Sequence, residues 1–237
     1  TCALPISQGV FGISLNIADL LMVVYLAIIV MTDSVYHNNI AFVALQWKAS
    51  GLCLSAGAIC LLSLEMSLTL TLLIAVDRFI CIVVRPFQKR GLTCKQGIVS
   101  ALTAWCIMLI SISTIFSYTT LDVTNSVCIA LASSLSSPLS IMTISFNIIV
   151  LVIIFILYIM IYTTFIANSI SKSIKQMATL GRNLGMILVI NLIVVSSTSV
   201  VIVLSLVGDF PQSVAGWYGM LLFPLNALIN PLLYNPR

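Results

Sequence analysis

Residues 51–87 read GLCLSAGAICLLSLEMSLTLTLLIAVDRFICIVVRPF. From Leu52 to Val76 the only charged side chain is Glu65, after which Asp77 and Arg78 follow abruptly. At about 1.5 Å of rise per residue, a helix from Cys53 to Arg78 covers roughly 37 Å, a little more than the hydrocarbon core of a bilayer. The stretch predicts a membrane-spanning helix with a cysteine at one membrane face and an acid–base pair at the other.

The rest of the chain fits that setting. The residues AVILMFWYC make up 61% of the 237 positions and charged residues 7%, too little polar surface to cover a water-soluble domain. Segments long enough to span lie at about 10–30, 52–84, 97–118, 137–167, 176–207 and 211–234, against the roughly 20 residues a helix needs to cross. The alternating ten-residue strands of a membrane barrel are absent from the pattern. The fold class expected is an all-α integral membrane bundle.

Charges sort by loop. Arg78, Arg85, Lys89, Arg90 and Lys95 lie between the second and third spans, and Lys172, Lys175 and Arg182 between the fourth and fifth. The positive-inside rule places those loops in the cytoplasm and the opposite loops, with Asp33, His37, Lys48, Asp122 and Asp209, outside. The net charge of +4 then reports orientation in the membrane and not nucleic-acid binding. Catalysis finds no support, since there is one histidine, His37, no metal spacing such as CxxC, and no nucleophile beside a base.

The chain starts at Thr1, and its first seven residues, TCALPIS, match the translation of a common sequencing-library adapter. Residues 1–7 are read as a scar or a loop peptide, and 8–237 as the transmembrane domain. Asp19 lies near the middle of the first span, where a charge costs on the order of 3 kcal/mol and requires a polar partner inside a bundle. Of seven cysteines, only Cys53 and Cys128 fall at the outer, oxidising face, which makes them the expected disulfide. Trp47 reads as an interfacial aromatic, Trp105 as a packing one. The last span, with Pro224, Asn226, Asn230, Pro231 and Tyr234, is expected to be bent and polar on one side.

Asp19, Asp77-Arg78-Phe79, Trp105 and Asn230-Pro231-Leu232-Leu233-Tyr234 occur in an order that resembles the rhodopsin-like G-protein-coupled receptors. Closer stretches resemble the leucine-rich-repeat hormone receptors and their relaxin-receptor branch: WKASGLC (47–53), SLEMS (63–67), FICIV (79–83) with Pro86-Phe87, TNSVC (124–128) and FPLNALINPLLY (223–234). The resemblance implies helices two to seven of a seven-helix receptor, without the first helix, the tail and the hormone-capturing ectodomain. It implies a heterotrimeric G protein as the inner partner and a relaxin-like peptide as the outer one. By the same resemblance, Asp77, Arg78, Tyr158, Asn230, Pro231 and Tyr234 would carry activation, with Asp77 holding Arg78 in the resting state. Asp19, Ser67, Asn226 and Asn230 would offer the oxygen ligands for an allosteric sodium ion, with no other cofactor implied. The plain alternative is a protonated Asp19 bonded to Asn230 as interhelical glue. Glu65 would be a buried polar anchor whose partner is not deducible.

The match breaks in places. Val194, Val195, Ser196 and Ser197 stand where the family carries Cys-Trp-x-Pro, Met177 stands at a commonly acidic position, and Arg85 is an extra residue before Pro86. A receptor for a small ligand therefore remains an alternative. So does an ion-coupled carrier working through Asp19 and Glu65, although no inverted repeat is visible.

Overall fold

The computed structural model describes residues 6–36, 46–47, 49–84, 91–118, 128 and 138–167, with isolated positions 193, 221, 224–225 and 227–228. Four helices among the described residues are long and apolar enough to cross a bilayer. They are α1 (Ile6–Tyr36), α2 (Gly51–Phe79), α3 (Cys94–Tyr118) and α4 (Pro138–Ala167), and α2 continues into a π turn at Ile80–Val84. The expected spans at 176–207 and 211–234 lie outside the described residues, apart from isolated helical positions.

Local chemistry sets the helix starts. Ser50, with extended backbone (φ −75°, ψ 144°), accepts the Cys53 N–H on its Oγ at 3.2 Å, an N-cap that opens α2 directly after the interfacial turn. Thr93 and Gln96 form a reciprocal capping box for α3. The Gln96 N–H donates to Thr93 Oγ1 at 3.4 Å, and the Thr93 N–H donates to Gln96 Oε1 at 3.0 Å. Helix α4 opens on Pro138, where the missing N–H costs nothing.

On α1 the buried apolar residues are Phe11, Leu15, Ala18, Met22, Tyr25 and Ile29, which alternate by four and three. That spacing keeps one stripe against a neighbouring helix crossing at a shallow angle. The opposite positions, Ile13, Leu20, Val23 and Val30, are just as apolar and exposed. A helix apolar all round, with one face packed and one face bare, is what lipid as a solvent requires.

Helix α2 is the centre. Over half of its spanning window is buried, against 22% for α3 and for α4, and it packs on α1, α3 and α4. Three apolar clusters lie along it. Met22, Tyr25, Ile29, Cys53, Ala56, Cys60 and Cys128 form one at the disulfide end. Phe11, Leu15, Met66, Leu70, Ile74, Ala101, Ala104 and Met108 form the α1–α2–α3 seam. Leu68, Val150, Leu151 and Ile154 join α2 to α4.

Candidate functional site

The apolar α2 carries a column of buried polar groups: Ser63, Glu65, Ser67, Thr71, Asp77 and Arg78. In hydrocarbon such groups need partners within the protein. Thr71 Oγ1 donates to the Ser67 carbonyl at 2.8 Å and Thr69 Oγ1 to the Glu65 carbonyl at 2.8 Å, both within the helix. Ser63 and Glu65 join helices.

Ser63 Oγ donates to the Ala18 carbonyl of α1 at 2.7 Å, fully buried. This bond sets the α1–α2 register at the residue before Asp19. Asp19 is 7% exposed, and Ser67, one turn beyond Ser63, is 2% exposed. Two of the four expected sodium ligands are thus buried on neighbouring helices that a hydrogen bond holds in register. Asn226 and Asn230 lie outside the described residues. No cluster of three or more His, Cys, Asp or Glu side chains occurs among the described residues.

Glu65 has a partner that sequence reading left unnamed. Its Oε1 accepts from Asn147 Nδ2 of α4 at 2.9 Å, across 82 residues of sequence. The pair ties the centre of α2 to α4 above the apolar contacts of Leu68 with Val150, Leu151 and Ile154. Interhelical hydrogen bonds in membranes contribute about 0.6–2 kcal/mol. A double-mutant cycle on thermal unfolding in detergent, using Asn147→Leu and Glu65→Leu, is therefore expected to give a favourable coupling of about 1 kcal/mol. Strict additivity would show that the bond contributes nothing.

At the other end of α2, Asp77 is fully buried and Arg78 is 4% exposed. Asp77 Oδ1 accepts the Leu92 N–H at 2.7 Å. The π turn begins two residues after Arg78, and its Cys81 is buried. A π turn holds more residues than an α turn, and such bulges concentrate at functional sites. Tyr158 of α4 is partly buried against the cluster of Leu68 and Ile154, and Trp105 packs on the α1–α2–α3 seam. Pro231 and Tyr234, like Val194, Val195, Ser196, Ser197 and Met177, lie outside the described residues.

At the opposite end the disulfide between Cys53 and Cys128 is formed, with Cα atoms 5.2 Å apart. Trp47, expected to be interfacial, packs onto the apolar cluster that surrounds this bridge. Cys60, Cys94 and Cys106 are free thiols.

Sequence reasoning missed Asn147 as the Glu65 partner, Ser63 as the α1 anchor, and Gly91 and Leu92 at Asp77. Sequence reading also passed over the Thr93-x-x-Gln96 capping box that opens α3. Nothing in the sequence paired the other residues.

The family profile described as 7 transmembrane receptor (rhodopsin family) matches residues 7–234. G-protein coupled receptor GRL101 of Lymnaea stagnalis is 36% identical over 95 residues, 40% of this chain and 8% of that protein. Relaxin receptor 1 of Homo sapiens and that of Pongo abelii are each 28% identical over 240 aligned residues, 94% of this chain. The chain spans 31% of the length of each relaxin receptor, so it corresponds to a part of these relatives.

Proposed function

The chain belongs to the rhodopsin family of 7 transmembrane receptors, and from that premise we propose that it is the signal-transducing bundle of a G-protein-coupled receptor in the plasma membrane. The observation that carries this reading is the buried Asp77–Arg78 pair closing the central helix, inside the family match. A buried guanidinium gives up hydration that an apolar side chain would not, which favours a functional role for it over packing alone. The basic loops face the cytoplasm by the positive-inside rule and meet a heterotrimeric G protein there.

The outer ligand is proposed to be a relaxin-like peptide hormone, captured by a leucine-rich ectodomain beyond this chain. The matched stretches WKASGLC, SLEMS and FPLNALINPLLY and the likeness to relaxin receptor 1 across 94% of the chain favour that branch. Membranes carrying the receptor should accelerate guanine-nucleotide exchange on added heterotrimeric G protein, further so with a relaxin-like peptide. Exchange without any peptide response would point to a small-ligand receptor. Solute uptake into vesicles with no exchange would point to a carrier.

We further propose that Asp19 and Ser67, with Asn226 and Asn230, hold a sodium ion in the bundle centre. The two described donors fit: a carboxylate and a hydroxyl, both buried on adjacent helices whose register is set by the Ser63–Ala18 bond. Replacing sodium by N-methylglucamine should raise ligand-independent exchange in the parent, and Asp19→Asn should remove that dependence. A parent indifferent to sodium would favour Asp19 as interhelical glue.

A further inference from the structure

Asp77 sits where the chain, after leaving the membrane segment, comes back to start α3. Its Oδ1 takes the Leu92 N–H at 2.7 Å, fifteen residues on. Gly91, immediately before, is buried, and a methyl group on its Cα would collide with Asp77 Oδ1 and stand 3.0 Å from Cγ and 3.1 Å from Oδ2. The backbone passes so close to the carboxylate that a Cβ at position 91 would have to displace it.

Leu92 is held from three directions. Its amide is on Asp77, its side chain joins the seam containing Phe11, Leu70 and Ile74, and the capping box of α3 begins at the next residue. Asp77 is itself sealed from solvent. A methyl group at position 91 therefore pushes the Asp77 carboxylate aside, and any such shift is made at the expense of the bond to the Leu92 N–H.

We propose that Gly91 and Leu92 form a backbone seat for Asp77, and that occupation of this seat sets the ligand-independent activity of the receptor. Gly91 is thus a positioning residue, and the inference rests on the receptor reading given above. With Asp77 seated, its negative charge stays beside Arg78 and the start of α3 stays tied to the end of α2. With Asp77 displaced, both constraints are lost together, and the bundle shifts toward the state that engages the G protein.

The test is ligand-free guanine-nucleotide exchange on added G protein, normalised to the number of receptors at the cell surface, for the parent, Gly91→Ala, Asp77→Ala and the double variant. Gly91→Ala is expected to raise exchange about fivefold or more. In the Asp77→Ala background the smaller side chain leaves room for the methyl, so adding Gly91→Ala should change nothing further. Gly91→Ala exchanging at the parental rate would overturn the seat, and so would an increase that persists undiminished on top of Asp77→Ala. If Gly91→Ala alone fails to reach the surface, the double variant must recover the surface level of Asp77→Ala, and failure to do so also overturns it. Arg78→Ala run alongside separates the two levels of the argument. Loss of exchange there upholds the receptor reading whatever Gly91→Ala does, and unaltered exchange there sinks that reading instead.

Discussion

Arg78→Ala is expected to lower guanine-nucleotide exchange on the G protein by on the order of a hundredfold, the scale for truncating one member of a buried, hydrogen-bonded charged contact, while surface receptor number stays near parental. The reasoning starts from cost. A guanidinium only 4% exposed has given up most of its water, and well-packed apolar residues in place of a whole buried ion pair are commonly neutral for folding or better. Its presence therefore answers to something other than stability. Removing it would still be harmful if Asp77 were left as a buried carboxylate with no donor. Asp77 keeps the Leu92 N–H at 2.7 Å, so the fold retains a partner for that charge. Signalling and expression should consequently separate, and quantitative surface labelling beside the exchange assay reads both. Arg78→Lys should restore only part of the activity, because an ammonium lacks the planar fork of five donors. Full exchange by Arg78→Ala would contradict the role assigned to this residue.

The bilayer made the long axis of each helix easy to read and its rotation hard. Hydrocarbon excludes charge, so the interval from Leu52 to Val76 and its closure by Asp77 and Arg78 declared a span and its ends. The same solvent makes the lipid face as apolar as the packed face. Phe11, Leu15 and Met22 are buried, whereas Ile13, Leu20 and Val23 are exposed, yet composition does not distinguish them. For that reason the partners of Glu65 and Ser63 stayed hidden: each depends on which way two helices are turned, and Asn147 is 82 residues from Glu65. The disulfide was legible because compartment chemistry left two cysteines at one face. Gly91 was not, because its meaning lies in a carboxylate brought against it by the return of the chain. Trp47, read as an interfacial aromatic, also has a packing role that its type did not declare: it covers the cluster around Cys53 and Cys128.

That cluster leads to the second large effect. Cys53→Ser and Cys128→Ser are each expected to lower the thermal stability of the detergent-solubilised receptor by on the order of 10 °C, with reduced surface expression. The bridge closes 75 residues of chain, for which the chain-entropy treatment gives about 4.5 kcal/mol. That figure is a ceiling, because helices that remain inserted in a membrane or micelle never reach the open coil it assumes. The bridge also fixes geometry. Cys128 has φ of 54°, a left-handed backbone that a non-glycine residue adopts only when its surroundings impose it. Once reduced, Cys128 can relax and withdraw from the pocket it shares with Met22, Tyr25, Ile29 and Trp47, which exposes that apolar surface. Helix α2 should survive the change, since its start is capped by Ser50 and not by the disulfide. The decisive comparison is between one substitution and two. If the bridge is what matters, Cys53→Ser with Cys128→Ser should be no less stable than either single variant, and each single variant should unfold at the temperature of the parent treated with reductant. A double variant markedly worse than both singles would mean that the two side chains contribute through packing independently of the bond between them.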